Sequence, residues 1–442
     1  MTTLLIPSML RSWAGADRIE VSGDTVEGLL VAAESECPGI RSRVMDERGT
    51  LRPHVKVFVN GEMVDLAYAV DPQDEVKIIP AISGGADGVE LLVGTRKGLF
   101  VIEGQAGDEF QIKARSFAGS TVEFALRDRR TGTYYAAVTN GWFGPRIYYT
   151  DDPAGEWTDA SGVALPEDSD TAIERIWVIR PGEAEGELWA GAAPASLFHS
   201  TDGGRTWELN RGLWEHPTRD QWGAGLGGQC VNSIAPWPGD PNRLAIGISA
   251  AGVWISDDRG DTWERGGKGL IPRYMPEEQW DTTFALCVHN MHRCTQVPDR
   301  LYMQFHGGVY RSDDAGYTWS DISADSELPA DFGFPLVIDP RNPERAFVIP
   351  LIGGEDRVPP EGKLNVYETR DGGSSWQVLG HGLPQQGAYL TILRQAFASD
   401  EHDDLGLYFG AESGEVFAYS DATGTWSTAM RHLAPVTSVR VA

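Results

Sequence analysis

The motif Ser/Thr-x-Asp-x-Gly-x-Thr/Ser-Trp recurs through residues 150–426, and this repetition constrains the fold more than any other feature of the chain. Four copies are complete, and two degraded copies begin at Thr150 and Ser420. The complete copies carry Asp202, Asp258, Asp314 and Asp371. The tryptophans of successive copies are 50 to 57 residues apart. A fixed turn motif at this period indicates a repeated supersecondary unit.

Each motif is predicted to form a tight turn between two strands. The aspartate carboxylate can accept hydrogen bonds from backbone N–H groups of its own turn. The glycine supplies a positive φ, and the tryptophan begins the next strand with its ring packed beneath the turn. These motifs resemble the Asp-box, or BNR, repeat of sialidase-like β-propellers, in which the boxes lie on the outer rim, away from any active site. The four aspartates are therefore predicted to be structural.

The segments around the motifs predict the strands of a propeller. A pair of strands with alternating apolar and small or polar residues precedes each motif, and a seventh pair at 91–104 has lost its motif. Candidates for innermost strands lie at 175–181, 230–237, 287–294, 334–340, 389–395 and 434–442. We expect 434–442 to complete the sheet that begins at residue 89, which removes a free sheet edge. Residues 89–442 are thus predicted to form a β-propeller of seven blades, with six as the alternative.

Residues 1–85 lack the motif and predict a separate, smaller domain. A helical pattern places five apolar residues on one face: Val26, Leu29, Leu30, Ala33 and Cys37. Asp24 or Thr25 is the expected N-cap, and Pro38-Gly39 is the expected stop. A hairpin is predicted around Asn60-Gly61, because Asn-Gly between two apolar runs is a strong turn signal. A last strand, "DEVKIIPA", precedes Gly84-Gly85.

These residues, above all "DPQDEVKIIPAISGG", resemble the MoaD/ThiS family of ubiquitin-like sulfur carriers. The resemblance implies a β-grasp fold over residues 1–85 with Gly84 and Gly85 as its functional tail. It also implies that a separate enzyme uses ATP to adenylate the Gly85 carboxylate, which then becomes a thiocarboxylate that donates sulfur. No cofactor of the chain's own is expected. A tail without side chains can enter a narrow activating site.

The chain departs from this family at the tail, because residues 86–88 and the propeller follow Gly85. The free carboxylate that the chemistry requires is therefore absent from the uncut chain. One interpretation is a precursor that a protease cuts after Gly85. The other is a degenerate fusion in which "SGGADG" is a linker.

The composition of the chain argues against several classes of partner and location. The net charge of −27 and the sequence pI near 4.7 argue against nucleic acid and anionic membranes. The N-terminus lacks the basic start and apolar core of a signal peptide, and no apolar run approaches the ~20 residues that span a bilayer. The four cysteines show no disulfide framework. We expect a cytoplasmic protein.

Polar residues near the starts of the inner strands are candidates for a ligand or catalytic site in the channel. They are Arg175, Cys230, Cys287, His289 and His306. Arg175-x-Trp177, Cys230-x-Asn232, Cys287-x-His289 and Phe332-x-Phe334 are predicted to be equivalent in successive blades. Two interpretations stay open for the group Cys287, His289, His292 and Cys294: a packed channel lining, which we favour, and a metal site. A Cys–His nucleophile pair could form from Cys230 or Cys287 with His289 or His306. No metal is predicted.

Two classes of function remain. The sequence favours a sulfur-carrier precursor fused to a ligand- or partner-binding propeller that is not itself an enzyme. Its partners would be an adenylating enzyme and a processing protease, with a small ligand in the channel. The alternative is a propeller hydrolase with an inert ubiquitin-like appendage. A sialidase is disfavoured because the FRIP-type segment is missing, whereas Glu123 or Glu174 could serve another glycosidase.

Overall fold

The computed structural model describes residues 2–5, 18–37, 39–45, 49–51, 55–60, 62–80, 88–223 and 228–442. They fall into two compact units, Met1–Asp87 and Gly88–Ala442. Both are built mainly from strands, so the prediction of a mainly β chain is confirmed. No helix in this described part of the chain is long and apolar enough to span a membrane.

The first unit is a mixed sheet with a helix packed on it. Its strands are β1 (Thr2–Leu5), β2 (Arg18–Val21), β3 (Val55–Val59), β4 (Glu62–Val64) and β5 (Glu75–Pro80), and its helices are α1 (Val26–Glu36) and α2 (Ile40–Val44). The strand order is β2-β1-β5-β3-β4, in which β1 and β5 are parallel and the other pairs antiparallel. This is the predicted β-grasp arrangement.

Helix α1 has the N-cap and the buried apolar face that its sequence predicts. The side chain of Thr25 caps the helix by accepting a hydrogen bond from the Gly28 N–H at 3.1 Å. The predicted apolar face is buried and packs with sheet residues such as Leu4 and Val76 in one core. Gly39, just beyond the helix, has a φ of 92°. Residues Pro38, Gly61, Gly84 and Gly85 lie outside the described part of the chain, so the predictions made for them stay predictions.

The second unit consists of short strands separated by turns and loops. Its strands are β6 (Val89–Thr95), β7 (Gly98–Gly104), β8 (Gln111–Ser116), β9 (Thr121–Arg127), β10 (Tyr134–Asn140), β11 (Gly144–Thr150), β12 (Thr158–Asp159), β13 (Arg175–Pro181), β14 (Leu188–Ala193), β15 (Ser196–Ser200), β16 (Glu208–Leu209), β17 (Cys230–Trp237), β18 (Asp240–Ser249), β19 (Gly252–Ser256), β20 (Glu264–Arg265), β21 (Val288–Arg293), β22 (Leu301–Phe305), β23 (Gly308–Ser312), β24 (Ser320–Asp321), β25 (Gly333–Asp339), β26 (Asn342–Pro350), β27 (Val366–Thr369), β28 (Gln377–Leu379), β29 (Phe397–Ser399), β30 (Gly406–Gly410), β31 (Val416–Ser420), β32 (Thr425–Met430) and β33 (Val436–Val441). Helix α3 (Arg211–Trp214) and three single 3₁₀ turns complete the elements assigned in the described residues.

These strands form seven four-stranded antiparallel sheets within the described residues. Six sheets use four consecutive strands, and the seventh has the order β33-β6-β7-β8. The innermost strands β9, β13, β17, β21, β25, β29 and β33 contact one another in an unbroken circle. Strand β33 pairs with β6, with Val439 opposite Val93. The predicted closure of the propeller by its C-terminal strand is therefore confirmed.

The repeated motif forms the turn before the outermost strand in four sheets, as predicted. In the copy at Asp202, the carboxylate accepts hydrogen bonds from the backbone N–H groups of Arg205 and Thr206, both at 3.0 Å. The glycine of each complete copy has a positive φ, between 76° and 106°. The four tryptophans are buried. In the degraded copy at Ser420 the carboxylate of Asp421 instead pairs with Arg345.

One inner strand differs from its prediction. Residues 389–395 were expected to form a strand, but the strand of that sheet is β29, and residues 389–394 are irregular. The physical reason is that this segment leaves the sheet and enters the channel. The Asn290 side-chain amide donates to the Arg394 carbonyl at 2.6 Å, and the Gln395 amide donates to the Asn232 carbonyl at 2.8 Å.

Candidate ligand site at one end of the channel

A β-bulge recurs near the start of six of the seven inner strands described. The register with the next strand skips one residue in five of them and two in β25. The skipped residues are Glu123, Trp177, Asn232, His289, Phe334 with Pro335, and Thr437. A bulge leaves its residue outside the ladder and re-aims its side chain. The predicted equivalence of Trp177, Asn232, His289 and Phe334 is therefore confirmed.

The structure brings the predicted site residues to the same end of the channel. Arg175 and Cys230 are the first residues of β13 and β17, and Cys287 immediately precedes β21. His306 lies in the turn between β22 and β23, and its N–H donates to the Cys287 carbonyl at 3.1 Å. We call this end of the channel the mouth, defined by the bulge residues above together with Arg175, Cys230, Cys287 and His306. Whether any of these residues is catalytic stays a prediction.

A cysteine and two histidines meet at the mouth. The candidate ligand atoms of Cys287, His289 and His306 all lie within 4.8 Å of one another. His289 Nδ1 donates to the Gly333 carbonyl at 2.6 Å, which leaves Nε2 with its lone pair. A thiolate and two neutral imidazoles are ligands that suit zinc, so this set could hold such an ion with a fourth position open.

The structure separates His292 and Cys294 from Cys287 and His289. His292 is further along β21, where burial and the charges of Arg180 and Arg440 hold its pKa well below its usual range. Cys294 packs in the sheet core with Tyr302, and burial raises the pKa of its thiol to about 12. His292 and Cys294 therefore do not join Cys287 and His289, since alternate residues of a strand point to opposite faces.

Positive charge dominates the mouth. Burial, followed by the charge of Arg394, lowers the pKa of both His289 and His306, and Arg357 acts in the same direction. Both rings are therefore neutral near pH 7. Burial raises the pKa of the Cys230 thiol to about 11, although Arg394 opposes this. Neither Arg394 nor Arg357 was singled out from the sequence, because Arg394 lies in the segment predicted to be a regular strand.

Arg394 is unusual because its side chain is largely buried, with Nε fully covered, and has no counter-charge among the described residues. Arg394 is 9% exposed, and its side chain makes no ion pair or hydrogen bond within the described residues. It lies 5.3 Å from the ring centre of Trp177 and 4.9 Å from that of Phe334. Cation–π contacts of this kind contribute about 1–2 kcal/mol each, whereas moving an unpaired charge out of water costs several kcal/mol. The aromatic contacts alone do not offset that cost.

Glu123 and Arg175 form an ion pair at the mouth. Their side chains are 3.2 Å apart, and Arg175 also lies over the Trp177 ring at 4.9 Å. Burial raises the pKa of the Glu123 carboxyl, although Arg175 opposes this. A buried carboxyl with a raised pKa is the type of group that acts as a general acid.

The comparisons with known proteins agree with the division into two units. A profile of the ThiS family matches residues 4–85. The sulfur carrier protein CysO of Mycobacterium tuberculosis is 37% identical over 90 residues, which are 19% of this chain and 97% of CysO. The N-terminal domain of the chain belongs to the ThiS family. The ThiS-family domain therefore has nearly the full length of a sulfur carrier that exists as a separate protein.

The relatives of the second unit are xyloglucanases, whereas its repeated motif had suggested a sialidase-like protein. The oligoxyloglucan-reducing end-specific xyloglucanase of Emericella nidulans is 25% identical over 223 residues, which are 43% of this chain. The chain spans about a quarter of the length of that enzyme. The structure of an ancestral GH74 enzyme covers 72% of this chain at 14% identity with a TM-score of 0.48.

Proposed function

We propose that the chain is a sulfur-carrier precursor. Cleavage after Gly85 releases a ThiS-family domain whose terminal carboxylate becomes a thiocarboxylate, and the propeller binds a ligand or partner at its mouth. The observation that carries the proposal is the family match, which ends at the second glycine of the Gly84-Gly85 tail.

The chemistry explains why cleavage is required. A separate enzyme would join the Gly85 carboxylate to the α-phosphate of ATP and release pyrophosphate. A sulfur nucleophile would then displace AMP from the acyl adenylate and leave a C–S bond in place of one C–O bond. In the uncut chain the Gly85 carbonyl is part of an amide with Ala86, so it offers no carboxylate oxygen for the first step. An adenylating enzyme and a protease are therefore the proposed partners, and the cytoplasm is the proposed location because both ATP and reduced sulfur are present there.

The decisive experiment compares three chains with the adenylating enzymes of the same organism, ATP and a sulfide source. One chain ends at Gly85, the second carries one extra alanine after Gly85, and the third is full length. The ThiS-family domain has its own core of buried residues from both the helix and the sheet, so the short chains are expected to fold. We expect the chain ending at Gly85 to gain the mass that replacing one oxygen by sulfur adds. The other two chains should be unchanged.

Failure of the Gly85-ending chain with every such enzyme would refute the carrier function. The processing step has its own test, which is intact-mass analysis of the protein from its native host. We expect fragments that end at Gly85 and begin at Ala86. A native protein found exclusively at full length would favour the degenerate fusion.

A second candidate function is hydrolysis of a glycan by the propeller. The xyloglucanase relatives and the buried Glu123 carboxyl favour it. The test is release of reducing ends from xyloglucan oligosaccharides by the full-length chain and by Glu123→Gln. Activity that Glu123→Gln lowers by a factor of about 100 would support an acid role, because general acid catalysis contributes typically 10²–10⁴-fold. Equal, measurable activity of both chains would refute the acid role of Glu123, and no activity in either chain would remove this candidate function.

A further inference from the structure

We propose that the channel mouth binds a small organic carboxylate, with Arg394 and Trp177 donating hydrogen bonds to the carboxylate and aromatic rings enclosing its apolar part. This inference stands on the geometry of the mouth alone. It does not depend on cleavage after Gly85, so its failure and the failure of the carrier function are separable.

Arg394 has no hydrogen-bond or ion-pair partner for its side chain within the described residues. Its Nε–H is buried and donates to no acceptor among them, and the residue is about nine-tenths buried. The Arg175 guanidinium, in contrast, has Glu123 at 3.2 Å. Buried charges in proteins are normally paired, so the unpaired guanidinium indicates that the partner of Arg394 comes from outside the described part of the chain, and we assign it to a bound ligand.

The missing partner of Arg394 must be a hydrogen-bond acceptor. The Nε1 of Trp177 is a second buried nitrogen without a hydrogen-bond partner, and Arg394 lies 5.3 Å from the centre of the Trp177 ring. Both nitrogens carry a hydrogen, and neither can accept. A carboxylate can accept hydrogen bonds from both kinds of donor, and hydrogen bonds between a guanidinium and a carboxylate are among the stronger ones in proteins.

The charges around the mouth favour an anion over a cation. Cys287, His289 and His306 could hold a metal ion in the same region. However, the guanidinium groups of Arg394 and Arg357 lie 4.9 and 5.4 Å from the centre of the Phe334 ring, and that ring contacts His289. Two positive charges this close to the histidines attract an anion and repel a cation.

The aromatic residues of the mouth indicate which kind of molecule bears the carboxylate. Phe332 and Phe334 are buried, stand 5.2 Å apart edge to face, and each contacts His289. These rings present apolar surface beside the two donors. Inorganic phosphate has no apolar part to place against these rings, whereas an apolar or aromatic acid would bury its body there.

The experiment titrates the full-length chain with benzoate, acetate and phosphate, each as a sodium salt at constant ionic strength. Binding is measured by calorimetry and by the shift in Tm. We expect benzoate to bind more tightly than acetate and phosphate to bind weakest. Arg394→Met keeps the apolar stem and removes the donors, so it should weaken benzoate binding by about 10- to 100-fold. Trp177→Phe keeps the ring and removes one donor, so a loss of about 3- to 10-fold is expected.

Stability without ligand separates a binding role from a structural one. Removing an unpaired buried charge should leave the Tm of Arg394→Met equal to or above that of the unsubstituted chain. The matched control is Arg341→Met. The Nε of Arg341 also lacks a hydrogen-bond partner, but the Arg341 guanidinium is paired with carboxylates. Its Nε lies 3.5 Å from Asp339 and its Nη1 lies 3.4 Å from Asp403. Arg341→Met should bind benzoate normally.

Four results would overturn the proposal. The first is no benzoate binding to the unsubstituted chain. The second is a lower Tm for Arg394→Met with unchanged benzoate binding by Trp177→Phe, which would make Arg394 structural. The third is equal loss of binding in Arg341→Met. The fourth is binding that EDTA abolishes and zinc restores, because the site would then belong to a metal held by Cys287 and the histidines.

Discussion

Replacing Asp258 by alanine tests whether the repeated motif stabilises the propeller. Asp258 Oδ1 accepts hydrogen bonds from the Ser256 hydroxyl at 2.8 Å and the Thr262 N–H at 2.9 Å, and Oδ2 accepts one from the Thr262 hydroxyl at 2.5 Å. The variant loses all three. Each is worth about 0.5–1.5 kcal/mol net, and the Thr262 donors are exposed enough to bind water instead. We therefore expect a loss of about 1.5–3 kcal/mol.

Asp257→Ala is the matched control from the same turn. The Asp257 side chain is 58% exposed and pairs with Arg243 at 2.8 Å, so its loss should cost less than about 1 kcal/mol. Calorimetric or denaturant unfolding of both variants measures the difference. For a unit of this size the Asp258→Ala loss corresponds to a Tm lower by about 2–4 °C. Equal Tm values for the two variants would refute a stabilising role for the motif carboxylate.

The difference in stability between the unsubstituted chain and Asp258→Ala should depend on pH. Partial burial raises the pKa of the Asp258 carboxyl, but the hydrogen bonds from Thr262 and Ser256 outweigh it and lower the pKa below its usual range. A carboxyl with a lower pKa in the folded state stabilises above the unfolded-state pKa, near 3.9, and loses that contribution as the pH falls through the folded-state pKa. The gap between the unsubstituted chain and Asp258→Ala should narrow below about pH 4. A gap that widens there would contradict the hydrogen-bond assignment.

Three further predictions concern other parts of the second unit. Deleting residues 434–442 should expose the edge of β6 and lower the Tm cooperatively, and a truncated chain that melts like the full one would contradict the ring closure. Arg345→Met should cost about 3 kcal/mol in denaturant unfolding, because the carboxylates of Glu368 and Asp421 then keep the more exposed Arg370 as their remaining partner. Iodoacetamide should alkylate Cys287 before the other cysteines in peptide mass analysis, since those three are buried and their thiol pKa values are raised.

The architecture could be predicted because it rests on local signals. The turn chemistry around Asp202 and its copies depends on residues close in sequence, and the apolar face of α1 depends on helical spacing alone. The start-of-strand positions in successive repeats even placed Trp177 and His289 at equivalent sites.

The chemistry of the mouth could be predicted less well, because it depends on contacts between distant repeats. The segment that holds Arg394 has the apolar alternation of a strand, but it is tied to other sheets through side chains. The Asn290 side chain donates to the Arg394 carbonyl, and the Gln395 side chain donates to the Asn232 carbonyl. The role of Arg394 follows from an absence of partners, which no sequence pattern reports. His306 joins Cys287 through the pairing of β21 with β22, whereas the sequence suggested His292 and Cys294 from spacing alone.

The pairing of β33 with β6 has a consequence for the order in which the protein is made. The ThiS-family domain leaves the ribosome first and has a core of its own, so it can fold while the rest of the chain is still being synthesised. The first propeller sheet, by contrast, keeps an unpaired edge on β6 until the last residues of the second unit have emerged. During that interval the finished carrier domain is tethered to an unfinished ring, and a cut after Gly85 would remove no strand from that ring, since β6 begins at Val89.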